Sequence, residues 1–217
     1  MQFDALNSLP YRRFWLGSIA SIGSTQLYFI GMAWLVFELS GSALDLGLLG
    51  AATAIPTIVS SLVGGILADR FNRRSILVVT TSLAAILLLL LTILDATGVV
   101  LVWHVLVLSG MLGLVQGFDF PARASIFPAL IEPHQMMSAV ALNSILWQGT
   151  RMILPGVGGV LIAVADTAFV FGICALGFVA MVYVLHTINV DQSFSEAGQP
   201  WREFLEGARV VIQNQLF

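Results

Sequence analysis

Six stretches of this chain, 14–38, 44–67, 75–95, 100–118, 137–163 and 167–187, are each apolar over the length of a bilayer crossing. A spanning helix needs about 20 such residues. The breaks between them are short: SGS at 40–42, DATG at 95–98 and AD at 165–166 read as tight turns, and only 69–74 and 119–136 are more polar. Charged residues make up 10% of the chain, against about a quarter in a soluble domain, so there is too little charge to cover a surface facing water. The class is an all-α membrane protein of six transmembrane helices. A first helix this long, followed by five more, is not a cleaved signal peptide.

The arginines orient it. Arg12 and Arg13 precede the first helix; Arg70, Arg73 and Arg74 fall between the second and third; Arg123 falls between the fourth and fifth; Arg202 and Arg209 follow the sixth. All lie on one side, whereas the opposite turns carry Asp45, Asp95 and Asp166. The positive-inside rule puts both termini in the cytoplasm, with the chain in the inner (plasma) membrane. The net charge of −3 gives no basic footprint for nucleic acid. The single cysteine, Cys174, sits in an apolar run and supports neither a disulfide framework nor a thiolate metal site. His104, His134 and His186 are far apart by topology, so no metal and no cofactor is expected.

An internal echo is present. VGGIL at 63–67 returns as VGGVL at 157–161, each with a proline upstream, Pro56 and Pro155. The copies run in opposite directions through the membrane, the arrangement of a 3+3 inverted repeat. The helices also differ in character. The third (ILLLLL at 86–91) and the sixth suit lipid-facing supports. The first carries Ser18, Ser21, Ser24, Thr25 and Gln26, and the fifth carries Asn143, Trp147, Gln148 and Arg151. Polar groups at bilayer depth need partners or a wet cavity, which points these two helices at a central path. Trp15, Trp103 and Trp201 suit an interfacial belt. From Trp201 to Phe217 the apolar positions keep helical spacing opposite Arg202, Glu203, Glu206 and Arg209, as in a helix lying on the membrane surface.

Arg151 is the sharpest single residue. It lies near the middle of the fifth helix, where a charge costs about 2.5–3.5 kcal/mol on insertion scales. No carboxylate of the six spans reaches that depth. It is satisfied by Gln26, Gln116 or Asn143, by cavity water, by a second half, or by an anionic substrate. Asn143, Trp147 and Arg151 are spaced by four and share a helix face. That face either lines a substrate pathway or holds a hydrogen-bonding arginine between helices. Glu38, at the outer end of the first helix, either carries a proton or sits among headgroups.

GGILADRFNRRS, at 64–75, packs Asp69, Arg70, Arg73 and Arg74 into six positions after Gly64 and Gly65. Topology signalling explains the arginines but not the acid or the glycine pair, which admits a close neighbour. The arrangement reads as a charged latch. The stretch resembles the loop 2–3 signature of the major facilitator superfamily, G-x-L-a-D-R-x-G-R-[RK]-x-x-L. Gly65, Leu67, Asp69, Arg70, Arg73, Arg74 and Leu77 match, and Asn72 replaces a glycine at a left-handed turn. RMILPGVGG resembles that superfamily's antiporter motif through Pro155, Gly158 and Gly159, with Leu154 where glycine is usual. These three residues bend the helix and allow close packing. DFPARASIFPALIEP at 119–133 and ALNS at 141–144 resemble the branch of enterobactin and macrolide exporters.

The resemblance implies a twelve-helix transporter with this chain as its first half: a six-helix domain at 1–190, and a cytoplasmic linker with an amphipathic helix at 191–217 leading to a second half absent from this chain. It implies a gate of Gly65, Asp69, Arg70, Arg73, Arg74 and Asp119. There Asp119 either pairs with Arg70 or Arg73, or caps a short loop helix at 122–130. The polar residues at depth add a substrate pathway along Gln26, Asn143, Trp147 and Arg151, and the transporter expected is one with protons as coupling ion and efflux of a hydrophobic small molecule such as a drug, macrolide or siderophore. The alternatives are a non-transporting scaffold or receptor, or an importer of a small metabolite. No H-E-x-x-H, G-x-S-x-G or Walker loop supports an enzyme. A six-helix half working as a homodimer remains open beside the fragment reading.

Overall fold

A computed structural model describes residues 4–70 and 72–188, with the side chains of 66–70 left out of the description. Six long helices account for most of it: α1 (Leu9–Ser40), α2 (Ala43–Arg70), α3 (Arg73–Ala96), α4 (Val102–Ile126), α5 (Met136–Val164) and α6 (Thr167–Thr187). Short 3-10 turns lie at Asp4–Asn7, Phe127–Leu130 and Pro133–Gln135. No strand occurs among the described residues. All six helices are long and apolar enough to cross a membrane. The expected spans are present, each extended by a turn or less except α1 and the far end of α4.

The ends follow local chemistry. Ser8 caps α1 by accepting from the Tyr11 N–H, with Pro10 in the first turn. Gly41 and Gly98 supply the left-handed residues that end α1 and turn the chain after α3. Asn72, expected to take a glycine-like left-handed turn, has φ −58° and caps α3 instead, its side chain accepting from Ser75 N–H. Asn therefore replaces glycine here through its side chain rather than through backbone freedom.

Two pairs of crossings flank a central set. α2 packs on α4, α5 on α1, α6 on both α1 and α3, and α3 on α4. Exchanging α1–α3 with α4–α6 maps these pairings onto one another, so the inverted repeat is visible in the packing. The VGG echo sits at equivalent places. A Cβ on Gly64 would meet the Gly117 carbonyl of α4 at 2.7 Å, and one on Gly158 would meet Ile30 of α1 at 2.7 Å. The second glycine of each copy, Gly65 or Gly159, has nothing within 4 Å among the described residues. Only half of the expected Gly64–Gly65 close approach is thus made within these six helices.

The α2–α4 seam is the tightest, and prolines help build it. Pro56 and Pro121 lie inside helices that run on through them. Each lacks the N–H that would bond the carbonyl four residues earlier. The Ala52 carbonyl left by Pro56 faces Gly110, and the Gly117 carbonyl left by Pro121 faces Gly64. Thr57 Oγ1 adds a bond to the Gly113 carbonyl at 3.1 Å. Small residues and polar cross-links suit association in lipid, where burying apolar surface gives no drive.

Two side-chain clusters fill the interior. One, toward the aspartate-bearing end, includes Tyr28, Met32, Leu88, Leu91, Val105 and Phe171. The other, toward the arginine-bearing end, includes Tyr11, Phe14, Leu77, Ile126, Met181 and Leu185. α1 is the most enclosed helix, with 56% of an 18-residue apolar stretch buried, against 11% in the corresponding stretches of α2 and α5. The supports α3 and α6 are more enclosed than expected, at 44% and 39%, each keeping one apolar stripe outside, such as Val79, Leu83 and Ile86 on α3.

Candidate functional site

Asp119 and Arg123 are one turn apart on α4, and this spacing puts both on one face. Pro121 between them did not end the helix, so Arg123 is no loop charge. It is 7% exposed. This corrects two expectations at once: that Arg123 lies between helices as a topology signal, and that a separate loop helix spans 122–130. α4 continues to Ile126 and passes into the 3-10 turn Phe127–Leu130.

The guanidinium is fully engaged. Arg123 Nε donates to Asp119 Oδ2 at 2.9 Å and Nη2 donates to Oδ1 at 3.3 Å, a bidentate pair. Nη1 donates to Ser18 Oγ of α1 at 3.1 Å. The Phe14 ring lies beneath it, 5.9 Å from the cation to the centroid, within cation–π range. From α3, Thr80 Oγ1 donates to Asp119 Oδ1 at 3.2 Å. One ion pair therefore ties α4 to α1 and α3. Among the described residues Asp119 bonds to Arg123 and Thr80, and Arg73 Nη1 bonds the Ser125 carbonyl at 3.2 Å. The side chains of Asp69 and Arg70 lie outside the described residues, as does the segment 191–217.

A cavity of about 30 Å³ opens beside the pair, walled by Ser21, Thr25, Tyr28, Gln116, Phe120 and Trp147 among others. That is room for about two waters. Trp147 reaches in from α5 and meets Phe120 edge-on at 6.1 Å between centroids. Of the expected pathway residues, Trp147 lines this cavity, while Gln26 and Asn143 are half-buried without lining it. Arg151 is exposed and makes no hydrogen bond or ion pair among the described residues. Gln26, Gln116 and Asn143 do not satisfy it here.

The loop 2–3 arginines bind backbone. Arg74 Nε donates to the Leu185 carbonyl at 2.7 Å and Nη2 to the His186 carbonyl at 3.1 Å. These are carbonyls of the last turn of α6, where a cation also opposes the helix dipole. With Arg73 on Ser125, the start of α3 is pinned to the ends of α4 and α6. Trp15, expected in an interfacial belt, donates through Nε1 to the Leu142 carbonyl at 3.3 Å, and Tyr11 OH donates to the Ala139 carbonyl at 3.1 Å. Both staple α1 to α5. Pro155 lies within an unbroken α5, Gly158 packs on α1, and Gly159 faces open space.

The sequence pattern of the family described as transmembrane secretion effectors matches residues 2–209, nearly the whole chain. The chain belongs to this family of the major facilitator superfamily. Relatives agree. An uncharacterised major-facilitator-type transporter of Bacillus subtilis is 28% identical over 84% of this chain and 43% of its own length. An enterobactin exporter of Shigella boydii is 25% identical over 95% of this chain and 50% of its own. A macrolide efflux protein of Streptococcus pyogenes is 23% identical over 95% and 52%. The chain thus spans about half the length of the curated relatives it matches. It is a multi-pass membrane protein with the fold of a major facilitator half. The buried network at Asp119 and Arg123 was legible only as the spacing D-x-x-x-R, hidden by the intervening proline.

Proposed function

We propose that the chain acts as the first six-helix half of a twelve-helix secondary active transporter, one that exports a hydrophobic small molecule in exchange for protons. The observation that carries this is the ion pair of buried Arg123 and half-buried Asp119 beside a water-sized cavity, within the apolar span of α4, where α1, α3 and α4 meet. Ionisable side chains inside a span are costly and concentrate on substrate and proton routes. The names of the enterobactin and macrolide relatives support export and a siderophore or drug as solute.

In this reading the sparsely covered outer faces of α2 and α5 receive the second half, and 191–217 links the two. Both termini face the cytoplasm, so the arginine-bearing end is the inner mouth. Gly65, Asp69, Arg70, Arg73, Arg74 and Asp119 belong to the inner gate. Gln26, Asn143, Trp147 and Arg151 border the solute path, and Pro155, Gly158 and Gly159 shape α5. Alternating access follows from one half rocking against the other, with each ligand shifting the balance by its differential affinity.

The test uses the full-length protein in proteoliposomes with an imposed proton gradient, and erythromycin and enterobactin as probes. Movement of a probe against its gradient, abolished by a protonophore, is the expected result. Gradient-independent leakage, or no movement of either probe or of a wider panel of siderophores and drugs, would overturn it.

A further inference from the structure

We propose that Asp119 is the proton-binding carboxylate of this half and that Arg123 couples its charge state to α1; the proposal rests on the transport reading above and names the group that carries its coupling ion. Four observations converge on it. Asp119 belongs to the one carboxylate–arginine pair among the described residues; its arginine is buried and the carboxylate is half-buried within the six helices themselves. The carboxylate borders a cavity with room for water, the medium that would deliver a proton to it. Both oxygens are already held by donors, Arg123 and Thr80, so the site is built for the anion. The partner cation reaches a second helix through Ser18 and Phe14.

Among the described residues the surroundings leave little else to titrate. From α1 the facing groups are Tyr28 and the hydroxyls of Ser18, Ser21 and Thr25. From α3 it is Thr80, from α4 Gln116 and Arg123, from α5 Trp147 and from α6 Phe178. α2 packs on α4 through Ser60, Ser61 and Gly64 among its described side chains, none of them ionisable.

The step is a proton exchange. A proton from water of one compartment binds a lone pair of the Asp119 carboxylate, which becomes neutral. Arg123 then keeps its charge but loses its counter-ion. A buried guanidinium without an anion is unfavourable, so it turns toward cavity water or an anion, releasing Ser18 and the α1–α4 link. Loss of the proton to the other compartment restores the pair. The cavity and Arg123 thus convert a protonation into a change of helix contact.

The experiment is infrared difference spectroscopy of the full-length protein in lipid, titrated from alkaline to acidic pH. The wild type is expected to gain a carbonyl band of a protonated, buried carboxyl group that D119N lacks. D119E restores a band at a shifted frequency, which guards against misfolding of the amide variant. D95N, remote from the pair, keeps the wild-type band. R123Q removes the facing cation, and the pH dependence of the band then differs from that of the wild type. A band unchanged in D119N, or one indifferent to R123Q, would overturn the proposal. Absence of solute transport with this band intact faults the transport reading and leaves the proton site standing.

Discussion

Arg123 binds Asp119 in bidentate fashion, at 2.9 and 3.3 Å, and the same guanidinium reaches Ser18 of α1 at 3.1 Å. Removing Arg123 leaves the half-buried Asp119 carboxylate without its counter-ion, a loss of about 1–3 kcal/mol. R123A should therefore lower the unfolding midpoint of the protein in detergent far more than R13A, whose side chain is exposed. The double change D119N/R123Q should recover part of the loss, because no lone charge remains. Equal, small shifts for R123A and R13A would contradict the network.

The α2–α4 seam makes a prediction about glycines. A Cβ at Gly117 would run into Ser60 Oγ and lie 2.7 Å from the Thr57 carbonyl. G117A should cost about 1–3 kcal/mol of stability through overpacking. G65A meets nothing within 4 Å in these six helices and should be within about 0.5 kcal/mol of the parent, or slightly better for its helix propensity. Thermal unfolding of this chain in detergent compares the two. A G65A variant as damaged as G117A would contradict the packing described.

Arg74 closes the end of α6. Deleting it in R74A strands two helix-terminal carbonyls and removes a favourable charge–dipole contact, costing about 1–2 kcal/mol. Hydrogen exchange should quicken in the last turns of α6, around Met181 to Thr187, while the α2–α4 seam is unaffected. R74K should restore part of the protection, since lysine offers the charge without the two-pronged geometry. Unchanged exchange in R74A would show that the α6 terminus is held by other means.

Arg151 has no partner among the described residues and lies midway along α5. Within the transport reading it meets an anionic group of the solute or of the second half. R151Q in the full-length protein should cut the transport rate of an anionic solute by about tenfold or more, the value of a charged hydrogen bond. Unchanged rates for every solute tested would remove Arg151 from the path.

Much of the architecture was readable from apolar run length alone, because a bilayer leaves a backbone so few options. The inverted repeat was readable from one pentapeptide, and its two first glycines do occupy matching seams. What escaped was what depends on partners across helices. Pro121 looked like a boundary, since proline usually stops a helix; here Gly117, four residues before it, takes the freed carbonyl to α2. That misreading moved Arg123 into a loop and hid its pairing. Asn72 was read for its backbone tolerance and turned out to act through its side chain. Arg73 was read as one possible partner of Asp119; the described bonds of Arg73 to Ser125 and of Arg74 to Leu185 and His186 go to carbonyls, which no residue pattern marks. The latch at Asp69 and Arg70 falls where side chains are not described, so its geometry stays a proposal.

Alternating access is tested most directly by labelling the cavity from both sides. Cys174 is buried and is replaced by alanine, and a single cysteine is introduced as W147C in the full-length protein. A membrane-impermeant maleimide is then offered from one face or the other of sealed vesicles of known orientation. The account predicts that W147C is labelled from either face, with solute or acid pH raising one rate while lowering the other. Labelling from one face only under every condition, or no labelling from either, would contradict a half that opens its cavity to each side in turn.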